Sequence, residues 1–87
     1  MNYQVVVSHE AEKVLDRLDC PTEHRIRQRI LLLASDPVDP RLSSPLTDRD
    51  GLRKSRVGGW RILFTVDRTT KTVYVLAIDT RGQVYRH

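Results

Sequence analysis

Residues 57–66 leave a chain of this size little choice of fold. Gly58-Gly59 separates Val57 from a run in which Trp60, Ile62, Phe64 and Val66 alternate with Arg61, Leu63, Thr65 and Asp67. Glycines reach positive φ without steric penalty, which a two-residue hairpin turn requires. A period of two places successive side chains on opposite faces of a strand. Trp60, Ile62, Phe64 and Val66 therefore anchor in a core, and Arg61 points away from it. Leu52 to Val57 form the other arm of the hairpin. Between positions 53 and 61 lie four cations, Arg53, Lys54, Arg56 and Arg61, and no acid. Fixed guanidinium and ammonium groups on a rigid hairpin suit a phosphate backbone. Cations on the wet face of a half-buried strand are also ordinary surface residues, so the rest of the chain has to separate the two readings.

The elements before the hairpin read as one strand and two helices. Tyr3, Val5 and Val7 alternate with Gln4, Val6 and Ser8, which predicts a strand over residues 2–8. Ser8 can then cap a helix opened by His9 and Glu10, in which Ala11, Val14, Leu15 and Leu18 form an apolar stripe. Early acids suit the helix dipole. Asp19-Cys20-Pro21 ends this helix and starts another, because proline is tolerated in a first turn. The second helix runs to Ala34 or Ser35. Its buried face is Ile26, Ile30, Leu33 and Ala34, widened by Leu31 and Leu32. Arg25, Arg27 and Arg29 read as solvated residues whose stems cover apolar surface.

Asp36-Pro37 stops the second helix. The segment up to Gly51 holds Pro37, Pro40 and Pro45, a long connection of the kind that is usually functional or mobile. Leu46 is expected to return to the core and pin it. A turn over 67–71 leads to Thr72–Ile78, rich in β-branched and aromatic residues and therefore a strand. Arg81-Gly82 interrupts it, and Gln83–Arg86 reads as a short last strand. Short turns make neighbouring strands antiparallel. Two amphipathic helices must cover one sheet face. The expected architecture is a single two-layer α+β domain over residues 1–87. An N-terminal strand and a two-helix hairpin pack on one face of an antiparallel β-sheet.

Charge is distributed unevenly. The net charge of the 87 residues is +4, yet residues 1–40 carry five Lys and Arg against seven Asp and Glu, while residues 41–87 carry ten against four. The basic charge lies in the half that reads as sheet, which points to a polyanionic partner, nucleic acid first. No apolar run approaches the roughly 20 residues of a membrane helix, and no signal segment is evident, so a cytoplasmic protein without membrane contact is expected. Cys20 is the only cysteine, which excludes an intrachain disulfide and a cysteine zinc site. There is no phosphate-binding glycine loop, no GxGxxG and no paired-histidine helix motif. His9, His24 and His87 are scattered. No metal and no small-molecule cofactor are expected.

Metal-free cleavage of RNA is the chemistry that the remaining residues can serve. The 2′-hydroxyl loses a proton and attacks the adjacent phosphate. Negative charge builds on the non-bridging oxygens, and the 5′-oxygen takes a proton as it leaves. Such a reaction needs a base, an acid and fixed cations. Arg56 and Arg61 supply cations. Lys54 and Tyr85 are the proton-transfer candidates. Crowded cations favour the neutral form of an amine and the charged form of a phenol.

The chain resembles the RelE/ParE toxins of bacterial type II toxin–antitoxin systems over nearly all its length. The resemblance lies in the element order and in Leu46 followed by the basic strand Arg53-Lys54-Ser55-Arg56. It lies also in Gly59-Trp60-Arg61-Ile62-Leu63-Phe64 and in the ending from Val75 to Arg86, which contains Asp79-Thr80-Arg81 and Val84-Tyr85-Arg86. RelE-like members cleave messenger RNA in the ribosomal decoding site, and ParE-like members inhibit DNA gyrase. The resemblance implies a RelE-like fold, a toxin acting on mRNA in the A site of the 70S ribosome, and a cognate antitoxin that covers the helices and the basic face. It implies catalytic roles for Lys54, Arg61, Arg81 and Tyr85, with the choice of base between Lys54 and Tyr85 left open, and RNA contacts from Arg53, Arg56 and Arg86. A gyrase inhibitor and a non-catalytic nucleic-acid-binding module are the alternatives. Two departures stand out. Leu52 occupies a position where RelE-like nucleases often carry a second lysine, and Asp79-Thr80 replaces the common Gly-His or Gly-Lys before Arg81.

Overall fold

A computed structural model describes residues 2–46 and 51–80. It contains strand β1 (Gln4–Val7), helices α1 (His9–Arg17) and α2 (Cys20–Ser35), and strands β2 (Ser44–Pro45), β3 (Leu52–Val57), β4 (Trp60–Asp67) and β5 (Thr72–Thr80). The strands form one sheet in the order β1-β5-β4-β3-β2. Strands β2 to β5 are antiparallel neighbours, as the short turns require. Strand β1 departs from the antiparallel expectation. It lies parallel to β5, with Val5 opposite Val73 and Val7 opposite Val75. The short-turn argument does not reach this pair, because both helices and three strands intervene, and a parallel pair needs only a long enough crossover. The last strand expected over Gln83–Arg86, and the break at Arg81-Gly82, lie outside the described residues.

Ser8 fastens the first helix to the sheet. Its Oγ accepts a hydrogen bond from the N–H of Ala11 at 3.1 Å, which caps α1, and donates one to the carbonyl of Leu76 at 2.9 Å. Its own N–H bonds to the carbonyl of Val75. Leu76 needs this partner. Leu63 faces Ala77 and Phe64 faces Val75, so Leu76 is the extra residue of a bulge between the two registers. A bulged residue is left out of the ladder.

The core forms where the two helices cover the sheet. Ala11 and Leu15 of α1 and Ile26, Ile30 and Leu33 of α2 meet Ile62, Phe64, Val73, Val75 and Ile78. The buried positions of α2 follow the 26, 30, 33 spacing. Leu31 and Leu32 fall off that stripe and are exposed, 62% and 51%, so they do not widen the buried face as expected. Asp19 caps α2, and Arg27 reaches from α2 to Glu23 at 2.8 Å and to Glu12 of α1 at 3.4 Å.

The described part of the connection after α2, residues 36–46, is packed rather than loose. Pro37 is fully buried, and Leu42 packs against the core. These two residues do the pinning expected of Leu46, which is half-buried like Leu42 but is not among the residues packed against the core. Two buried serines tie the segment down. The Oγ of Ser43 donates to the carbonyl of Pro37 at 2.6 Å, and the Oγ of Ser55 on β3 donates to the carbonyl of Leu42 at 2.7 Å. Ser8→Ala removes both a helix cap and the partner of a bulge carbonyl. It is expected to lower stability by about 1–2 kcal/mol in urea denaturation, with the slope unchanged.

Candidate nucleic-acid interface

The β3–β4 hairpin is built around Gly58, whose φ of 61° lies in the left-handed region. Residues directly opposite each other in antiparallel strands share a face. Ser55 faces Ile62 and Val57 faces Trp60, on the side covered by the helices. Lys54 faces Leu63 and Arg56 faces Arg61, on the uncovered side. The structure thus brings Lys54, Arg56 and Arg61 together on one open face.

Arg53 is placed elsewhere. It faces Phe64 and so turns toward the helix side. Its Nε donates to the Oγ of Ser43 at 3.1 Å, and its Nη2 lies 3.5 Å from the carbonyl of the same residue. Its role in this arrangement is to hold the 36–51 connection against β3. Arg81, Tyr85 and Arg86 lie outside the described residues.

Arg61 has a partner that sequence reasoning did not assign. Asp79 stands opposite it on β5, and the Nε of Arg61 donates to Oδ1 of Asp79 at 2.8 Å. Both side chains are largely covered, with 20% and 30% of their surface exposed. Arg61 is therefore flanked by a like charge on β3 and an opposite charge on β5. Directly opposed like charges destabilise a sheet, and Asp79 offsets that cost. The carboxylate engages Nε, and among the described residues no acid pairs with Nη1 or Nη2. Lys54, half-buried, and Arg56, exposed, take part in no ion pair among the described residues. The signal for Asp79 was its place in the strand, which becomes readable once the hairpin register is known.

The open face is not uniformly basic. Toward β1 it carries Val6, Tyr74 and Leu76, exposed by 47%, 37% and 44%. Val6 lies opposite Tyr74, so the apolar patch spans β1 and β5, and Thr65 opposite Tyr74 on β4 separates it from the cations. Among the described residues no group of three or more His, Cys, Asp or Glu side chains is arranged to hold a metal ion. No helix among them is long and apolar enough to cross a membrane.

The sequence model of the ParE toxin of the type II toxin–antitoxin system parDE matches residues 5–85. The chain belongs to this family, and it is a type II toxin of the RelE/ParE superfamily. Solved structures agree in fold. The RelBE2 toxin–antitoxin complex of Mycobacterium tuberculosis is 26% identical, with a TM-score of 0.78, over 93% of this chain and 100% of that one. The archaeal RelE–RelB complex of Pyrococcus horikoshii is 23% identical, with a TM-score of 0.79, over 95% and 99%. A free mutant of the E. coli toxin RelE is 15% identical, with a TM-score of 0.81, over 95% and 87%. Among curated protein sequences no relative is found.

Asp79→Ala leaves Arg56 and Arg61 facing each other unopposed. A loss of about 1 kcal/mol is expected in low-salt denaturation, smaller when Arg56→Gln is present in the same chain. The loss shrinks in 1 M salt, where the screening length is about 3 Å. An equal loss at both salt concentrations would show that charge is not what Asp79 contributes.

Proposed function

We propose that this toxin is a ribosome-dependent, metal-independent endoribonuclease that cuts translated mRNA in the decoding site and is neutralised by a cognate antitoxin. The observation that carries this reading is the grouping of Lys54, Arg56 and Arg61 on the uncovered sheet face, with the Nη edge of Arg61 unoccupied by Asp79. The resemblance of Arg81 and Val84-Tyr85 in the ending to RelE-like toxins supports it.

In this mechanism the Nη1 and Nη2 groups of Arg61 grip the non-bridging oxygens of the scissile phosphate, where charge accumulates. Arg56 adds a second cation from the adjacent strand. Lys54 or Tyr85 takes the proton of the 2′-hydroxyl, whose oxygen forms a new bond to phosphorus. The bond to the 5′-oxygen breaks, and the other of the two residues or water returns a proton to it. A 2′,3′-cyclic phosphate and a 5′-hydroxyl end result. Arg81 stabilises the leaving group. The site of action is the cytoplasmic ribosome.

Several related structures are toxin–antitoxin complexes, from Mycobacterium tuberculosis, Pyrococcus horikoshii, E. coli and Methanococcus jannaschii. They support an antitoxin for this chain. An acidic, amphipathic segment of that antitoxin suits a surface with basic and apolar halves.

One observation favours a second reading. The matching family model is that of ParE. Inhibition of DNA gyrase needs no nuclease, and the pairing of Arg61 with Asp79 fits a cation used for structure. Expression in a growing culture separates the two. The nuclease reading expects growth arrest with new mRNA ends on translating ribosomes. Arg61→Ala is expected to slow cleavage by about 10²–10³-fold, and Arg81→Ala and Tyr85→Phe also relieve arrest while the proteins stay folded. Arrest that survives all three changes, with intact RNA and a DNA-damage response, establishes the gyrase reading instead.

A further inference from the structure

Beyond the open face, a depression of about 220 Å³ lies at the outer edge of β3, lined by Arg29, Arg41, Leu42, Ser43, Ser44, Lys54 and Arg56. Strand β2 is only two residues long and pairs with Arg53 and Lys54. The edge of β3 beside Arg56 is therefore reached by side chains instead of a strand. Four of the seven lining residues are cations, and none is an acid. They come from α2, the 36–51 connection and β3, which are far apart in sequence.

Two of these cations are held in place. Nη1 of Arg29 donates to the Oγ of Ser55 at 3.0 Å and to the carbonyl of Arg56 at 2.8 Å. That pins the guanidinium across the strand edge. Arg41 is tied by Nε and Nη2 to Asp39, at 3.2 and 2.8 Å. Arg41 holds the Asp39 carboxyl below its ordinary range, so Asp39 is ionised. Yet the Asp39 side chain is only 13% exposed, while that of Arg41 is 87% exposed, so the carboxylate stays behind its partner. Cations fixed in advance bind anions without a further ordering cost.

We propose that this depression binds a phosphodiester of a polynucleotide backbone, as a subsite that adjoins the open face and shares Lys54 and Arg56 with it. The inference rests on the reading of the chain as an RNA-acting toxin. At about 30 Å³ per water, the space suits one phosphate group with a few waters. The hydrogen bonds to Asp39 use Nε and Nη2 of Arg41, and those to Ser55 and Arg56 use Nη1 of Arg29, so Nη1 of Arg41 and Nη2 of Arg29 are the charged donors proposed for the phosphate oxygens. Lys54 and Arg56 belong to both the open face and the depression. At a strand spacing of about 4.8 Å, the position just beyond β3 lies two spacings, roughly 10 Å, from Arg61, which a nucleic-acid strand covers in a few nucleotides. A strand held at Arg61 thus continues over Arg56 to Arg29 and Arg41.

The test is fluorescence anisotropy of the full chain with a short single-stranded 2′-O-methyl RNA, which cannot be cut, across a range of salt concentrations. Cleavage does not enter this readout, so failure of the nuclease reading is seen separately on ribosomes. Losing one phosphate contact reduces the slope of log K against log[salt] by about 0.7. That reduction, with several-fold weaker binding, is expected for Arg41→Gln and for Arg29→Gln. The exposed Lys13→Gln on α1 is expected to change neither. Arg41→Gln is the decisive variant, because Arg29 also supports the fold. Full slope and affinity in Arg41→Gln overturn the subsite, as does absence of RNA binding by the wild-type chain at low salt. Tighter binding of a polyglutamate peptide than of RNA, lost in Arg41→Gln, would assign the depression to an acidic protein partner and overturn the proposal as well.

Discussion

Packing of α1 and α2 against one side of the sheet decides where every charge on β3 and β4 can go. Leu15, Ile26 and Leu33 meet Ile62 and Phe64 across a dry interface. A guanidinium cannot enter that interface without paired hydrogen bonds, because unpaired burial of charge is prohibitively costly. Each cation on the hairpin therefore has two outcomes. Those sharing the side of Leu63 collect on the open face. The one on the side of Phe64, Arg53, escapes at the rim of the core and takes oxygen atoms of Ser43 as partners. The basic face is in this sense a by-product of a well-packed opposite side.

Much of this was legible in the sequence. Alternation after Gly58-Gly59 located β4 and its buried residues, and Ser8 and Asp19 marked the helix starts. The orientation of Arg61 and its proximity to cations of β3 followed from the same period of two. The parity that sets Arg53 apart was also available. Counting back from Val57, the positions that face the helices are 57, 55 and 53. A cluster of like charges read as a unit hid that count. The parallel docking of β1 was not legible, because no local turn specifies it.

The serines show where local patterns run out. Ser43 and Ser55 look like ordinary polar residues of a loop and a strand. Each is buried and accepts a hydrogen bond from an arginine while donating to a carbonyl of the 36–51 connection. Their roles depend on partners 6 to 26 positions away in the chain, and no helix or strand periodicity points to those partners. The same holds for Asp79, 18 positions from Arg61. Side chains that complete a polar network are chosen by tertiary proximity, and composition alone gives no hint of them.

The edge position of β1 has a consequence for biosynthesis. Residues 4–7 find their backbone partners at 72–75, almost at the far end of the described chain. Such a distant pairing is formed late, since the intervening loop must be closed first. During translation the opening strand has nothing to hydrogen-bond with until β5 has left the exit tunnel. A nascent polypeptide truncated before β5 therefore lacks a finished sheet, and a cell making this toxin meets the assembled surface only once β5 has emerged.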